Sequence, residues 1–140
     1  MDDDLTILLQ RIAHSDRDAL RDVFVSTSPD IYARLTRVIR DDVLAERALR
    51  GVYTHIWQLR DHYGEQGFAA RQWLSFVTFR IALATLREQN KARGYKGRYD
   101  RLTSLGSIEL ARRMDLKELL FHPHLLSAFD AQILGGAHDD

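Results

Sequence analysis

Residues 71–80 read RQWLSFVTFR, with an arginine at each end of a stretch that carries Trp73, Phe76 and Phe79. Guanidinium groups pair with phosphates and aromatic rings stack on bases. Together they hold unpaired nucleic acid, at roughly 1–3 kcal/mol per stacked base. The same residues at helical spacing also make an ordinary core with two surface charges. Other chemistries have less to work with. The chain has six histidines and no cysteine, which removes disulfides, thiolate metal sites and cysteine nucleophiles. No acidic cluster completes a metal-ligand spacing around His55 and His62, and HPH (122–124) stands alone. No glycine-rich phosphate loop follows a strand and no nucleophile elbow frames a serine. The expectation is a binding protein, not an enzyme, with no metal and no cofactor.

Charge is unevenly distributed. The formal net charge of the 140 residues is zero, but residues 1–46 hold 6 Lys/Arg against 10 Asp/Glu, residues 47–101 hold 11 against 4, and residues 102–140 hold 3 against 6. A basic middle between acidic ends suggests a polyanion-facing segment, against the alternative of solvated helix faces. The acidic C-terminal part is expected to fold back over the basic surface. The start, MDDDLTILLQ, is acidic where a signal peptide would be basic. No apolar run approaches the ~18 residues of a membrane span. A cytoplasmic protein without membrane contact is expected.

The elements that position these residues follow from apolar spacing. Leu5, Leu8, Leu9 and Ile12 predict a first helix capped by Asp4, and Ser15 or Asp16 caps a second with Ala19, Leu20, Val23 and Phe24. STSPD (26–30) interrupts that pattern, and Pro29 fits the first turn of a further helix with Ile31, Tyr32, Leu35, Val38 and Ile39. After RDD (40–42), Ala45, Leu49, Val52, Ile56, Leu59 and Tyr63 predict a strongly amphipathic helix ending at GEQG (64–67). The next helix spans about 69–90. At 100° per residue it has a polar stripe of Arg71, Ser75, Thr78, Ala82 and Thr85 and an apolar face of Leu74, Val77, Ile81 and Ala84. Trp73, Arg80 and Arg87 form a third row, expected at a solvent-facing rim.

KARGYKGRYDR (91–101) has two glycines, two tyrosines and five basic residues without apolar period, and reads as a mobile linker. Beyond it, residues 108–120 predict another helix and HPHLLSAFDAQIL (122–134) a short last one. No strand period competes. The expected fold is all-α, with a helical domain over 1–90, a linker over 91–106 and a C-terminal helical segment over 107–136.

Four stretches in order, LLQRIAHSDRDALRDVF (8–24), PDIYARLTRVIRD (29–41), LAERALRGVYTHIW (44–57) and GFAARQWLSFVTFRIALATLR (67–87), carry a resemblance. Their spacing resembles region 2 of the extracytoplasmic-function (ECF) sigma factors of bacterial RNA polymerase. The resemblance implies a compact bundle like sigma region 2. It also implies two partners: a coiled coil on the largest subunit of core RNA polymerase, and the minus-ten element of promoter DNA. Carried over by position, the DNA-facing residues would be Tyr63, Gln66, Phe68, Arg71, Trp73, Arg80 and Arg87, extended by Lys91 and Arg93. The polymerase-facing residues would be Glu46, Arg47, Leu49, Arg50, Tyr53 and Thr54.

This chain departs from the family pattern on those surfaces. Arg47 stands where the family has an aspartate, Arg50-Gly51 where it has Gln-Glu, and Arg80 where an asparagine is common. Reversing a charge at a polar interface costs several kcal/mol if the partner is unchanged. The residues after the linker show no recognisable helix-turn-helix. Two readings stay open: a sigma-like factor that binds polymerase and promoter DNA, and a pseudo-sigma protein that presents the same helices to an anti-sigma factor or another regulator.

Overall fold

The computed structural model describes residues 2–64, 67–94 and 104–120. They form α1 (Asp2–Ala13), α2 (Arg17–Thr36), α3 (Asp42–Gln58), a 3-10 turn (Arg60–His62), α4 (Ala70–Ala92), α5 (Ser104–Arg113) and α6 (Lys117–Leu120), with no strand among the described residues. The fold is all-α, as the spacing predicts.

Two aspartates start helices. The Asp16 carboxylate accepts the Asp18 and Ala19 amides at 3.0 and 3.2 Å, and the Asp41 carboxylate accepts the Leu44 amide at 3.1 Å. The Arg11 guanidinium, 2.9 Å from Asp16, and the helix amides together hold the Asp16 carboxyl below its usual range. At α4 the cap runs from the side chain back to the start: Gln72 Oε1 accepts the Ala69 amide at 3.0 Å.

α2 corrects the sequence reading. STSPD does not break the helix, and Pro29 lies inside it. Proline removes the bond to the carbonyl four residues back, here Val25. Both Pro29 and Val25 are exposed. Upstream, the Ser26 and Thr27 hydroxyls donate to the Val23 carbonyl at 3.2 and 2.7 Å. The buried side chains Ala19, Val23, Ile31 and Leu35 then lie along one face of a single continuous helix. α3 also differs, ending at Gln58 before the 3-10 turn instead of continuing to Tyr63.

α4 is the axis of the bundle, with α1, α2, α3 and α6 all packed on it. Every residue from Trp73 to Phe79 is buried as a result. Full burial of a large apolar side chain stabilises by about 1.5–3 kcal/mol, and Trp73, Phe76 and Phe79 are among the largest here. The predicted polar stripe is thereby overturned. Ser75 and Thr78 are buried, and Thr78 and Thr85 turn their hydroxyls onto the Leu74 and Ile81 carbonyls at 2.9 Å. Ala84, assigned to the apolar face, is exposed.

The cover over Ser75 and Thr78 comes from the C-terminal helices. The single helix predicted over 108–120 is split by a turn, with Asp115 at φ 57°. Leu110, Ala111, Met114, Leu116 and Leu119 are buried, while Ile108 is exposed. Arg34 Nη1 donates to the Met114 carbonyl at 3.3 Å and also to the Asp115 carbonyl. Ser75 Oγ donates to Glu118 Oε2 at 3.3 Å. The helix predicted over 122–134 and most of the linker lie outside the described residues.

Candidate nucleic-acid and partner surfaces

Trp73, Arg80, Ala84, Arg87 and Lys91 fall within about 60° of one another around α4, at 100° per residue. They form one row at different depths. At the buried end, Trp73 is 1% exposed and meets the Tyr63 ring edge-on, centroids 5.5 Å apart. The rim expected at Trp73 is therefore core. Beyond Phe79 the same row leaves the bundle: Arg80 and Arg87 are half-buried, and Ala84 and Lys91 are exposed. Arg93, at the C-cap of α4, is exposed too. The row ends in cations with one small side chain between them.

The other DNA-facing candidates are not gathered there. Arg71 is exposed, but it sits about 180° around α4 from Arg80, on the side of α2 and α6. Phe68 is half-buried against Phe76, ring centroids 5.2 Å apart. Tyr63 is half-buried; burial pushes its phenol pKa up, and a hydrogen bond to Thr6 opposes the shift. Gln66 lies outside the described residues. The expected acidic cover over the basic row is not made by α5 and α6. That hairpin carries Arg112, Arg113 and Lys117 against Glu109, Asp115 and Glu118, a balance of 3 to 3. It packs on the Arg71 side.

Arg80 has a neighbour on α3. Burial lowers the pKa of His55, and the charge of Arg80 lowers it further, against a hydrogen bond with Gln58. Its imidazole lies in the seam between α3 and α4, where burial and Arg80 disfavour its charged form.

The outer face of α3 carries Glu46, Arg47, Arg50 and Thr54, all exposed, with Leu49 half-buried. Arg50 reaches Glu46 at 3.7 Å and Thr54 donates to the Arg50 carbonyl at 3.1 Å. Tyr53 differs from its neighbours. It is buried between α2 and α3, its hydroxyl 2.7 Å from Thr27 Oγ1 and its ring 4.9 Å from Phe24. Burial pushes its pKa up to about 12. Gly51 also faces inward, where an added Cβ would stand 3.6 Å from Ile81.

No protein-family model and no solved structure matches the chain. An ECF RNA polymerase sigma factor SigK of Mycobacterium sp. (strain KMS) is 28% identical over 96 residues, 69% of this chain and 50% of that protein. Proteins of the same name match over 69% of this chain at 28% identity in Mycobacterium ulcerans and 26% in Mycobacterium tuberculosis (strain H37Ra). The chain is similar to ECF sigma factors. It spans about half the length of the curated relatives it matches.

One cluster escapes the sequence reading. Trp57, at the end of α3, has two guanidinium groups against its ring, Arg60 at 4.3 Å and Arg17 at 5.1 Å from the centroid. Arg17 is forty residues from Trp57, on another helix, so no local spacing links them. The one available signal was Arg60, three residues past Trp57. Among the described residues no three or more His, Asp or Glu could hold a metal, and no helix is long and apolar enough to cross a membrane.

Proposed function

We propose that this chain is a sigma-like transcription protein that lays α4 against unpaired promoter DNA and α3 against core RNA polymerase. The observation that carries the DNA half is the row Arg80–Ala84–Arg87–Lys91, with Arg93 beyond it, emerging from a rigid core helix. Cations fixed on a rigid helix, with a small residue between them, let a phosphate backbone approach closely. Tyr63 and Phe68, half-buried at the start of α4, supply ring edges near unpaired bases. Similarity to sigma factors supports the polymerase half, which falls to Glu46, Arg47, Leu49, Arg50 and Thr54, with Tyr53 bracing them from behind.

The test is binding of a fluorescent single strand carrying a minus-ten sequence, across a salt series, to the wild type and to Arg87→Glu/Lys91→Glu. The variant should bind at least tenfold more weakly. Its log–log salt slope should fall by about 0.7 for each phosphate that α4 no longer neutralises. An unchanged slope would remove α4 from the DNA-binding surface.

A second reading has its own observation. Arg47 and Arg50 are both outward on α3, and only Arg50 is drawn to Glu46. A face of that sign suits a protein partner other than polymerase, such as an anti-sigma factor, with no initiation of transcription. Co-elution with purified core polymerase separates the readings: retention supports the first, and DNA binding without retention supports the second.

A further inference from the structure

We infer that the groove between α1 and α2 is a docking site for residues 122–134 of the same chain, bound as an amphipathic helix. The groove holds about 530 Å³, room for several side chains. Leu5, Ile7 and Leu8 of α1 line one side of it, and Ser26 and Thr27 of α2 line the other. Ile7 stands 53% exposed there, while Leu5, Leu9 and Ile12 of the same helix are buried. The two hydroxyls are already engaged, both donating to the Val23 carbonyl. The groove therefore suits apolar side chains better than a polar ligand.

Three observations name the occupant. The first is position. α6 ends at Leu120, and residue 122 follows two positions later. Arg71 lines the groove and also the small pocket that Leu116 and Glu118 of the α6 region line, so the two sites lie on either side of one residue. A segment tethered this closely competes at an effective concentration on the order of millimolar. The second is pattern. Residues 122–134, outside the described residues, read HPHLLSAFDAQIL. At 100° per residue, Leu125, Phe129, Ile133 and Leu126 fall within about 100° of one another, a single apolar face of the kind that lies in a groove. The third is charge. Asp4 and Asp22 line the groove together with Arg11 and Arg71, a balance of 2 to 2. Residues 122–134 carry one acid, Asp130, and no lysine or arginine. A balanced groove does not select a strongly charged partner, and this segment is close to neutral. The inference does not depend on DNA or polymerase binding, and its test uses neither.

The chain has no cysteine, so an engineered pair reports on one contact alone. In the full-length protein, Ile7→Cys/Phe129→Cys should lose both free thiols on mild oxidation and run as a monomer on a non-reducing gel. Val43→Cys/Phe129→Cys, with the exposed Val43 in the first turn of α3, should keep its thiols. Ile7→Gln and Phe129→Gln give a second reading. If nothing covered Ile7, a polar residue at so exposed a position would leave the melting temperature nearly unchanged. Docking makes each substitution lower it by about 3 °C or more, and the double variant should be no less stable than the weaker single one. Equal cross-linking of the two cysteine pairs, or none in either, would overturn the inference. So would an unchanged melting temperature for Ile7→Gln, or losses that simply add. A disulfide-linked dimer of Ile7→Cys/Phe129→Cys would overturn it too, because the occupant would then be the segment of a second copy.

Discussion

Gly51 sits in the middle of α3, and replacing it by alanine tests the packing of α3 on α4. Mid-helix glycine is less favourable than alanine by about 0.8–1.0 kcal/mol, because it leaves the unfolded chain more freedom. Whether that gain is realised depends on what the new methyl meets. Its nearest neighbours would be Ile81 Cγ2 at 3.6 Å and Cδ1 at 3.9 Å, ordinary van der Waals separations with no backbone in the way. The site is half-buried, so the methyl also removes a little apolar surface from water. Gly51→Ala should therefore stabilise the protein by about 1 kcal/mol. At about 2.1 cal/mol/K per residue, the unfolding entropy of 140 residues is about 0.3 kcal/mol/K. The melting temperature should then rise by about 3 °C. Urea denaturation followed by circular dichroism should show a higher midpoint with an unchanged slope. A destabilisation of about 1 kcal/mol or more would refute the reasoning. It would mean that α3 and α4 are closer than an alanine allows, and that the glycine is there for packing.

Other perturbations read other parts of the structure. Tyr53→Phe removes the hydroxyl that meets Thr27 at 2.7 Å and should cost about 1 kcal/mol, measured in the same urea assay. In the wild type the Tyr53 pKa is raised to about 12 from 10.0, so its stabilising share is complete below pH 10 and lost between pH 10 and 12. Ultraviolet titration should show one phenol ionising last, and Tyr53→Phe should remove it. The His55 pKa is lowered in the folded state, so its contribution is present above the ordinary histidine value of 6.5 and lost as the pH falls below it. His55→Gln should flatten the melting temperature between pH 7 and 5, and an unflattened profile would place the acid sensitivity elsewhere. Arg34→Ala unties the Met114 and Asp115 carbonyls. Hydrogen exchange should rise across residues 104–120 and stay unchanged in α1 and α3.

The all-α class, the start of α2 at Ser15 or Asp16 and the amphipathic face of α3 were legible because each rests on local spacing or a single capping residue, whereas Asp4, expected as a cap, lies inside α1. Pro29 was misread for a reason that spacing cannot show. A proline costs a helix most where the freed carbonyl is enclosed, and here Val25 and Pro29 are both exposed. The polar stripe Ser75–Thr78 was misread because its cover comes from residues some forty positions later, through Glu118 and the Leu116 and Leu119 side chains. Among the site residues, the exposed members Arg47, Arg50, Lys91 and Arg93 were legible as charges. Trp57 with Arg17 was not, because the pairing crosses two helices.

Trp73 and Arg87 show what decides role within one row of a helix. Both share nearly the same angle around α4, and their chemistry alone would group them at one ligand. Depth along the axis separates them. Every residue from Trp73 to Phe79 is buried, so an aromatic there serves stability, and Trp73→Ala should cost about 3–5 kcal/mol. In the later turns Ala82 and Leu86 stay buried while Arg87 is half-buried and Lys91 exposed, so a cation on this side of the helix can reach an anion. Arg87→Ala should accordingly cost much less stability than Trp73→Ala while weakening single-stranded DNA binding. Equal losses of stability from both substitutions would show that α4 is enclosed along its whole length, and the basic row would then lose its claim to DNA.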